Sequence, residues 1–224
     1  MSRPNRFIAK VEIDGREETV HVKNTGRCKE LLTTGCRVYL EKSGNPLRKT
    51  QYDLVTVEKY RCGKAPLTVN MDSQAANDVA AEWLPKSGLF SENAVIRREV
   101  THGASRFDFC IDDAGKRTFL EVKGVTLETD GVAAFPDAPT ERGVKHINEL
   151  TQALDDGYKS YVFFIIQMKP CKYFMPNRET HKEFAEALER AQASGVKICA
   201  LNCEVTEDGL SVFDFVEVKL NEYT

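Results

Sequence analysis

The stretch Ser105–Lys123 constrains the fold of this chain more than any other. Two apolar runs, Phe107–Ile111 and Thr118–Val122, flank Asp112-Asp113-Ala114-Gly115-Lys116, which has the turn chemistry of a short β-hairpin. Centring the turn between Ala114 and Gly115 pairs residues whose numbers sum to 229. Asp108 then faces Glu121, Arg106 faces Lys123, Phe109 faces Leu120 and Phe107 faces Val122. Opposed residues share a sheet face, and alternate residues along a strand share it too. The four charged residues therefore fall on one face and the four apolar ones on the other, which reads as core.

Two carboxylates set opposite each other destabilise a strand pair. A bound cation turns that repulsion into a ligand pair, and Mg²⁺ is held by one or two carboxylates together with substrate phosphates. A lysine beside it can orient a water or stabilise charge on a phosphate. The spacing alone fits a blander reading equally well, a solvated hairpin face on which Arg106 and Lys123 neutralise the acids.

The first seventy residues read as five short strands. Residues 6–13 alternate and end at Asp14-Gly15, residues 17–22 return, and further strands are expected at 37–41, 53–60 and 67–70. That count suggests a small barrel of the OB type, although SH3-like barrels have the same signature. Charge supports a polyanion partner for this part. Residues 1–65 carry 14 Lys and Arg against 8 Asp and Glu, a balance of +6, whereas the rest carries 17 against 26, a balance of −9. Barrels of this kind bind oligonucleotides through basic grooves and aromatic stackers. Arg6, Phe7, Arg27, Lys29, Arg48, Lys49 and Tyr52 are the candidate groups.

From residue 71 the expected order is α-β-β-β-α-β-α-β-β. Asp72 or Ser73 caps a helix to about Leu84 whose apolar stripe is Ala76, Val79, Ala80 and Trp83. A strand at 95–101 leads into the central hairpin. A loop rich in turn residues then delivers the chain to a helix from about Thr140 to Asp156, ended by Gly157. On it Arg142, His146 and Glu149 share one face, from which Arg142 could hold a phosphate and His146 touch substrate or water. Tyr161–Met168 is an unbroken apolar run, as expected of a strand buried on both faces. A helix over 180–194 ending at Gly195 and strands over 196–205 and 210–218 complete the chain.

The 224 residues suit one small and one medium domain, 1–65 and 66–224. No run approaches the ~18 apolar residues of a membrane span, and the first residues lack a signal-peptide stretch. A cytoplasmic location follows by default. The seven cysteines are an odd set with no Cys-x-x-Cys pair, so reduced core thiols are expected, with Cys199 and Cys203 on one face.

Several blocks resemble the sugar fermentation stimulation protein A family: Asn24-Thr25-Gly26-Arg27, Arg48-Lys49-Thr50, Arg98-Glu99-Val100, Ser105–Phe109, Glu121-Val122-Lys123, and Phe135–Gly143 with His146. The resemblance spans nearly the whole chain. It implies DNA binding, an OB-like N-terminal barrel, and a C-terminal α/β domain similar to restriction endonucleases of the PD-(D/E)XK type. Carried over residue by residue, Asp108 matches the first acid of that motif, and Glu121 and Lys123 match its second half. Asp108, Glu121 and the Val122 carbonyl would hold Mg²⁺ or Mn²⁺, and Lys123 would position the attacking water. Phe107 stands where the nuclease pattern has proline. Glu82 and Glu99 are candidates for a further acidic ligand.

The expected function is nucleic-acid binding, with Arg106, Arg142 and His146 added to the basic contacts and a metal-dependent nuclease site at the hairpin. The alternative is a DNA-binding regulator that keeps the nuclease fold without catalysis. RNA stays open as a substrate, no small-molecule cofactor is evident, and the oligomeric state is not set by the sequence.

Overall fold

The computed structural model describes residues 2–24 and 26–221. Thr25 of the Asn24–Arg27 block lies outside the described residues. The first sheet holds β1 (Ser2–Asn5), β2 (Ile8–Ile13), β3 (Arg16–Val22), β4 (Val38–Lys42), β5 (Tyr52–Lys59) and β6 (Leu67–Asn70). Its order is β1-β2-β3-β5-β4, with β6 pairing β5 as well. Asp14 and Gly15 both take positive φ, the type I′ turn that joins β2 to β3 without splaying them. All five expected strands form, and β1 is an addition. Because β6 pairs with β5, the first sheet runs past residue 65.

The second sheet has nine strands. After α1 (Ala75–Trp83) come β7 (Val95–His102), β8 (Ser105–Asp113), β9 (Lys116–Val125), β10 (Leu127–Thr129) and β11 (Val132–Phe135). Then follow α2 (Glu141–Asp155), β12 (Lys159–Ile166), β13 (Tyr173–Pro176), α3 (Lys182–Ser194), β14 (Lys197–Val205) and β15 (Leu210–Val218). Their spatial order is β10-β11-β13-β15-β14-β12-β9-β8-β7, with β12 parallel to both β9 and β14. The three expected helices are present. The strands β10 and β11 fall in the stretch expected as a loop, and β13 is a further addition; all three are only three or four residues long.

The helices divide over the two faces of this sheet, and β12 shows how. Val162, Phe164 and Ile166 join the cluster that holds Ile147 and Leu150 of α2 and Phe184 and Leu188 of α3. Tyr161, Phe163 and Ile165 join Ala76, Val79 and Ala80 of α1. A strand with helices on both sides needs apolar residues at every position, which explains the unbroken run. Thr140 caps α2, its Oγ1 accepting from the Gly143 N–H at 3.0 Å. Gly195 ends α3 in the left-handed region at φ 111°.

The core of the first sheet is continuous with the α2 and α3 side of the second. A buried ion pair ties the two sheets as well. Lys59 at the end of β5 donates to the Glu128 carboxylate on β10 at 2.6 Å and also to its carbonyl. Glu128 Oε1 accepts from the Gly131 N–H. Burial pushes the Glu128 carboxyl up, but Lys59 and the Gly131 N–H outweigh it and hold it below the ordinary range. All seven cysteines are free, and burial pushes the Cys171 and Cys203 thiols up to about 12. Cys199 packs against the cluster that buries Cys203, as expected. Among the described residues no helix is long and apolar enough to cross a membrane.

Removing one member of a buried pair leaves an uncompensated charge. Lys59→Met is therefore expected to destabilise the protein by about 3 kcal/mol, and the double variant Lys59→Met/Glu128→Leu to recover most of that loss in urea denaturation. Because the folded carboxyl titrates low, its contribution is present above pH ~4.5 and disappears as pH falls through its lowered value. In Glu128→Gln the stability profile should lose that acid limb.

Candidate functional site

The hairpin of β8 and β9 has the expected register over its outer half. Asp113 pairs with Lys116, Asp112 with Arg117, Ile111 with Thr118, Cys110 with Phe119 and Phe109 with Leu120. Ala114 and Gly115 form the turn with φ of 52° and 79°. The described ladder ends there, so the expected backbone pairing of Asp108 with Glu121 is not made. Instead Asp108 Oδ2 accepts from the Val122 N–H at 2.7 Å, and its Oδ1 accepts from Asn77 Nδ2 of α1 at 3.0 Å. The carboxylate has taken the place of a strand partner.

That substitution breaks the face rule at one residue. Phe109, Leu120 and Val122 lie in the α1 cluster as a group. Phe107 was expected beside them but lies in the other cluster, its ring 5.1 Å from Phe119 and 6.4 Å from His146. The alternation of β8 therefore inverts between Phe107 and Phe109. The neighbouring β7 is irregular at the same level, where Glu99 takes φ 57° and drops out of the ladder to β8. Sheet regularity is interrupted around Asp108, and the interruption frees its carboxylate to meet the Val122 N–H and Asn77.

Glu121 is 3% exposed. Its Oε1 accepts from Lys123 Nζ and contacts His146 Nδ1 of α2. Arg142 Nε points at His146 Nε2 at 3.4 Å, which leaves the proton of His146 on the nitrogen facing Glu121. Glu121 Oε2 is buried without a partner. Burial is the largest influence on this carboxyl and pushes it up. The His146 hydrogen bond and the Lys123 charge together outweigh it, so Glu121 titrates below the ordinary range. Asp108 goes the other way, raised by burial and then by the Glu121 charge against the Val122 N–H, Lys123 and Asn77. The two carboxyls are neighbours whose affinities for a proton are driven apart.

Lys123 lines a cleft of about 300 Å³ with Arg6, Gly26, Gly124, Asp137 and Thr140. The loop after β3 closes one side of it. Cys28 N–H donates to Asp137 Oδ2 at 3.1 Å, and a Cβ on Gly26 would lie 2.5 Å from that same oxygen, so only glycine permits the approach. Arg6 stands at this cleft with its guanidinium over the Phe7 ring at 5.6 Å.

Asp108, Glu121, Val122, Lys123 and His146 thus come together, with Arg142 on the far side of His146. His146 is buried against Glu121, so it orients a carboxylate instead of meeting nucleic acid from the surface. Arg48 and Tyr52 also depart from the surface role expected of them. Arg48 forms two 2.8 Å bonds to Asp53, whose carboxyl this drives down to about 2, and Tyr52 packs against the core. Arg27, Lys29 and Lys49 are exposed as expected. Arg106 and Glu99 are exposed and paired with each other at 2.7 Å, and Glu82 is exposed on α1. Asn77 is a neutral residue on the polar side of α1 and carries no ligand signal in the sequence. Among the described residues no group of three His, Cys, Asp or Glu side chains is arranged to hold a metal. A cation here would have two carboxylates and would complete its shell with backbone, water or phosphate oxygen.

Comparison with known proteins covers the whole architecture. A family model described as the sugar fermentation stimulation protein RE domain matches residues 74–209, and one described as the SfsA N-terminal OB domain matches residues 1–64. A sugar fermentation stimulation protein homolog of Desulfitobacterium hafniense strain Y51 is 57% identical over 222 residues, 99% of this chain and 95% of that one. A homolog of Ruminiclostridium cellulolyticum is 52% identical over 220 residues, 98% of this chain and 95% of that one. A solved structure of Pyrococcus furiosus SfsA in complex with Ca²⁺ is similar with a TM-score of 0.83 at 30% identity, covering 97% of this chain and 92% of that one.

His146→Ala removes the hydrogen bond that does most to oppose burial of Glu121. The Glu121 carboxyl is expected to move from below to above its ordinary value of 4.5, read from its ¹³C shift against pH. A stability loss of about 3 kcal/mol should accompany it, since a buried charge loses a partner. An unmoved Glu121 titration would show that His146 does not govern that carboxylate.

Proposed function

The chain belongs to the sugar fermentation stimulation protein family, and from that premise we propose that it binds nucleic acid, DNA in the first instance, and carries a metal-dependent phosphodiesterase site of the PD-(D/E)XK kind. The observation that carries this reading is the unpartnered buried oxygen of Glu121 next to a second carboxylate. A buried anionic oxygen without a donor is costly, and beside a second carboxylate a divalent cation is a group that would satisfy it. The Ca²⁺ complex of the Pyrococcus furiosus relative supports a cation in this family. Asp108, Glu121 through Oε2 and the Val122 carbonyl are the ligands available here, for Mg²⁺ or Mn²⁺. Bound there, such an ion supplies Lewis acidity toward phosphoryl oxygen and lowers the pKa of a coordinated water.

The remaining work falls to the chain's own side chains. Lys123 is held by Glu121 Oε1 at the wall of the cleft, where it can fix a water for in-line attack and offset negative charge on the phosphate. His146 keeps Glu121 Oε1 occupied, so Oε2 is the oxygen left for a cation. Arg142, exposed at the start of α2, can hold a flanking phosphate. Arg6 at the cleft, with Arg27, Lys29 and Lys49 on the same basic part, would carry the strand. A cytoplasmic setting fits the seven free cysteines.

One observation favours the alternative, a DNA-binding regulator without catalysis. Both Asp108 oxygens already accept hydrogen bonds from the protein, and among the described residues no third ligating side chain joins the pair. Incubation with linear and single-stranded DNA and RNA, in Mg²⁺, Mn²⁺ or chelator, separates the two. Cleavage is expected to require metal and to fall by ~10²-fold or more in Glu121→Gln and in Lys123→Ala, with binding retained. Binding without cleavage under every metal would establish the regulator. Cleavage undiminished in both variants would place the activity elsewhere.

A further inference from the structure

A second cavity, of about 530 Å³, lies where the end of β5 meets β10 and the segment before β13. The segment after β5 supplies Tyr60, Arg61 and Lys64, and the segment before β13 supplies Lys172. The acids at this cavity are Glu128 and Asp130. Glu128 is neutralised by Lys59, so Arg61, Lys64 and Lys172 stand against Asp130 alone. Arg61 is anchored by its Nε on the Ala65 carbonyl at 3.0 Å, which directs the rest of the guanidinium. Lys172 runs its stem past Gly131, where a Cβ would meet three of its carbons at 3.2 Å, and its backbone N–H donates to the Gly131 carbonyl. Tyr60 is 77% exposed, an aromatic ring left in solvent beside three cations.

We infer that this cavity binds a nucleotide unit, with phosphate on Arg61, Lys64 and Lys172 and the base against Tyr60. A guanidinium anchored on backbone, as Arg61 is, favours a phosphate because less side-chain freedom is lost on binding, and Lys64 and Lys172 add charge beside it. An exposed ring beside them offers a stacking platform that any base can use. The cavity also adjoins the cleft of Lys123 along the chain. Thr126 and Leu127 line the cleft and Glu128 and Thr129 line the cavity, successive residues at ~3.3 Å each. A strand held at one is therefore near the other. This inference rests on the nucleic-acid reading above and adds a place of contact that the hairpin chemistry does not require.

The test is fluorescence anisotropy of the full chain with labelled oligodeoxythymidylate, in chelator so that no cleavage intervenes, over a series of salt concentrations. Arg61→Gln, Lys64→Gln and Lys172→Gln are each expected to reduce the salt slope by about one ion. Tyr60→Ala should weaken binding roughly tenfold at fixed salt, and Tyr60→Trp should restore it. Lys182→Gln, an exposed lysine on α3, should behave as wild type. Thymidine monophosphate in a parallel titration identifies the source of the unit. Binding of the mononucleotide that the same variants abolish assigns the cavity to free nucleotides, and oligonucleotide binding alone assigns it to a strand. Wild-type affinity and slope in the triple charge variant, or in Tyr60→Ala, would overturn this inference and leave the nucleic-acid reading in place. Failure of the wild type to bind either probe would overturn this inference, and failure to bind duplex DNA and RNA as well would overturn the nucleic-acid reading with it.

Discussion

Glu121 places a carboxylate inside a sheet covered by helices, and the geometry of the site follows from how that charge is accommodated. Burial alone pushes its pKa up, toward the protonated form. His146 and Lys123 on one of its oxygens keep it ionised, and the other oxygen has no protein donor. His146 can do this because α2 packs directly over the sheet, with Ile147 and Leu150 in the core beside it. Asp108 is held from the opposite layer through Asn77 of α1. The two carboxylates therefore meet at the level of the sheet, each anchored by a different helix, and neither can relax away from the other without disturbing a packed layer.

The sheet permits this meeting because its hydrogen-bond ladder stops one residue short of Asp108. A regular antiparallel pair would put backbone donors and acceptors where the Asp108 carboxylate now sits. The inversion of Phe107, the positive φ of Glu99 and the Asp108–Val122 bond are three expressions of one local departure from pleated geometry. Irregular backbone of this sort is found where a side chain must be re-aimed. The strands on either side, held by the two-residue turn and by the apolar β12, supply the rigidity that keeps the departure in place.

Much of this was legible in the sequence because it depends on local rules. The turn at Ala114-Gly115 fixes the hairpin register by counting, and an apolar run without alternation can be satisfied only between two helical layers. The 229-sum rule failed beyond Phe109 because it assumes an unbroken ladder, and nothing local signals the break. Arg48 and His146 looked like surface ligands since their partners, Asp53 and Glu121, declare themselves only in three dimensions. The Lys59–Glu128 pair joins residues 69 apart and has no periodic signature. Asn77 is an ordinary polar residue on an amphipathic helix until Asp108 is seen beside it.

The central claim is that Glu121 Oε2 is kept free for a divalent cation shared with Asp108. Crystals soaked in Mn²⁺ and measured above the manganese absorption edge test it most directly. The account predicts one anomalous difference peak within coordination distance of both Glu121 Oε2 and an Asp108 oxygen, absent from Glu121→Gln crystals. A peak confined to other residues, or no peak while Oε2 accepts a hydrogen bond from the protein, would contradict it.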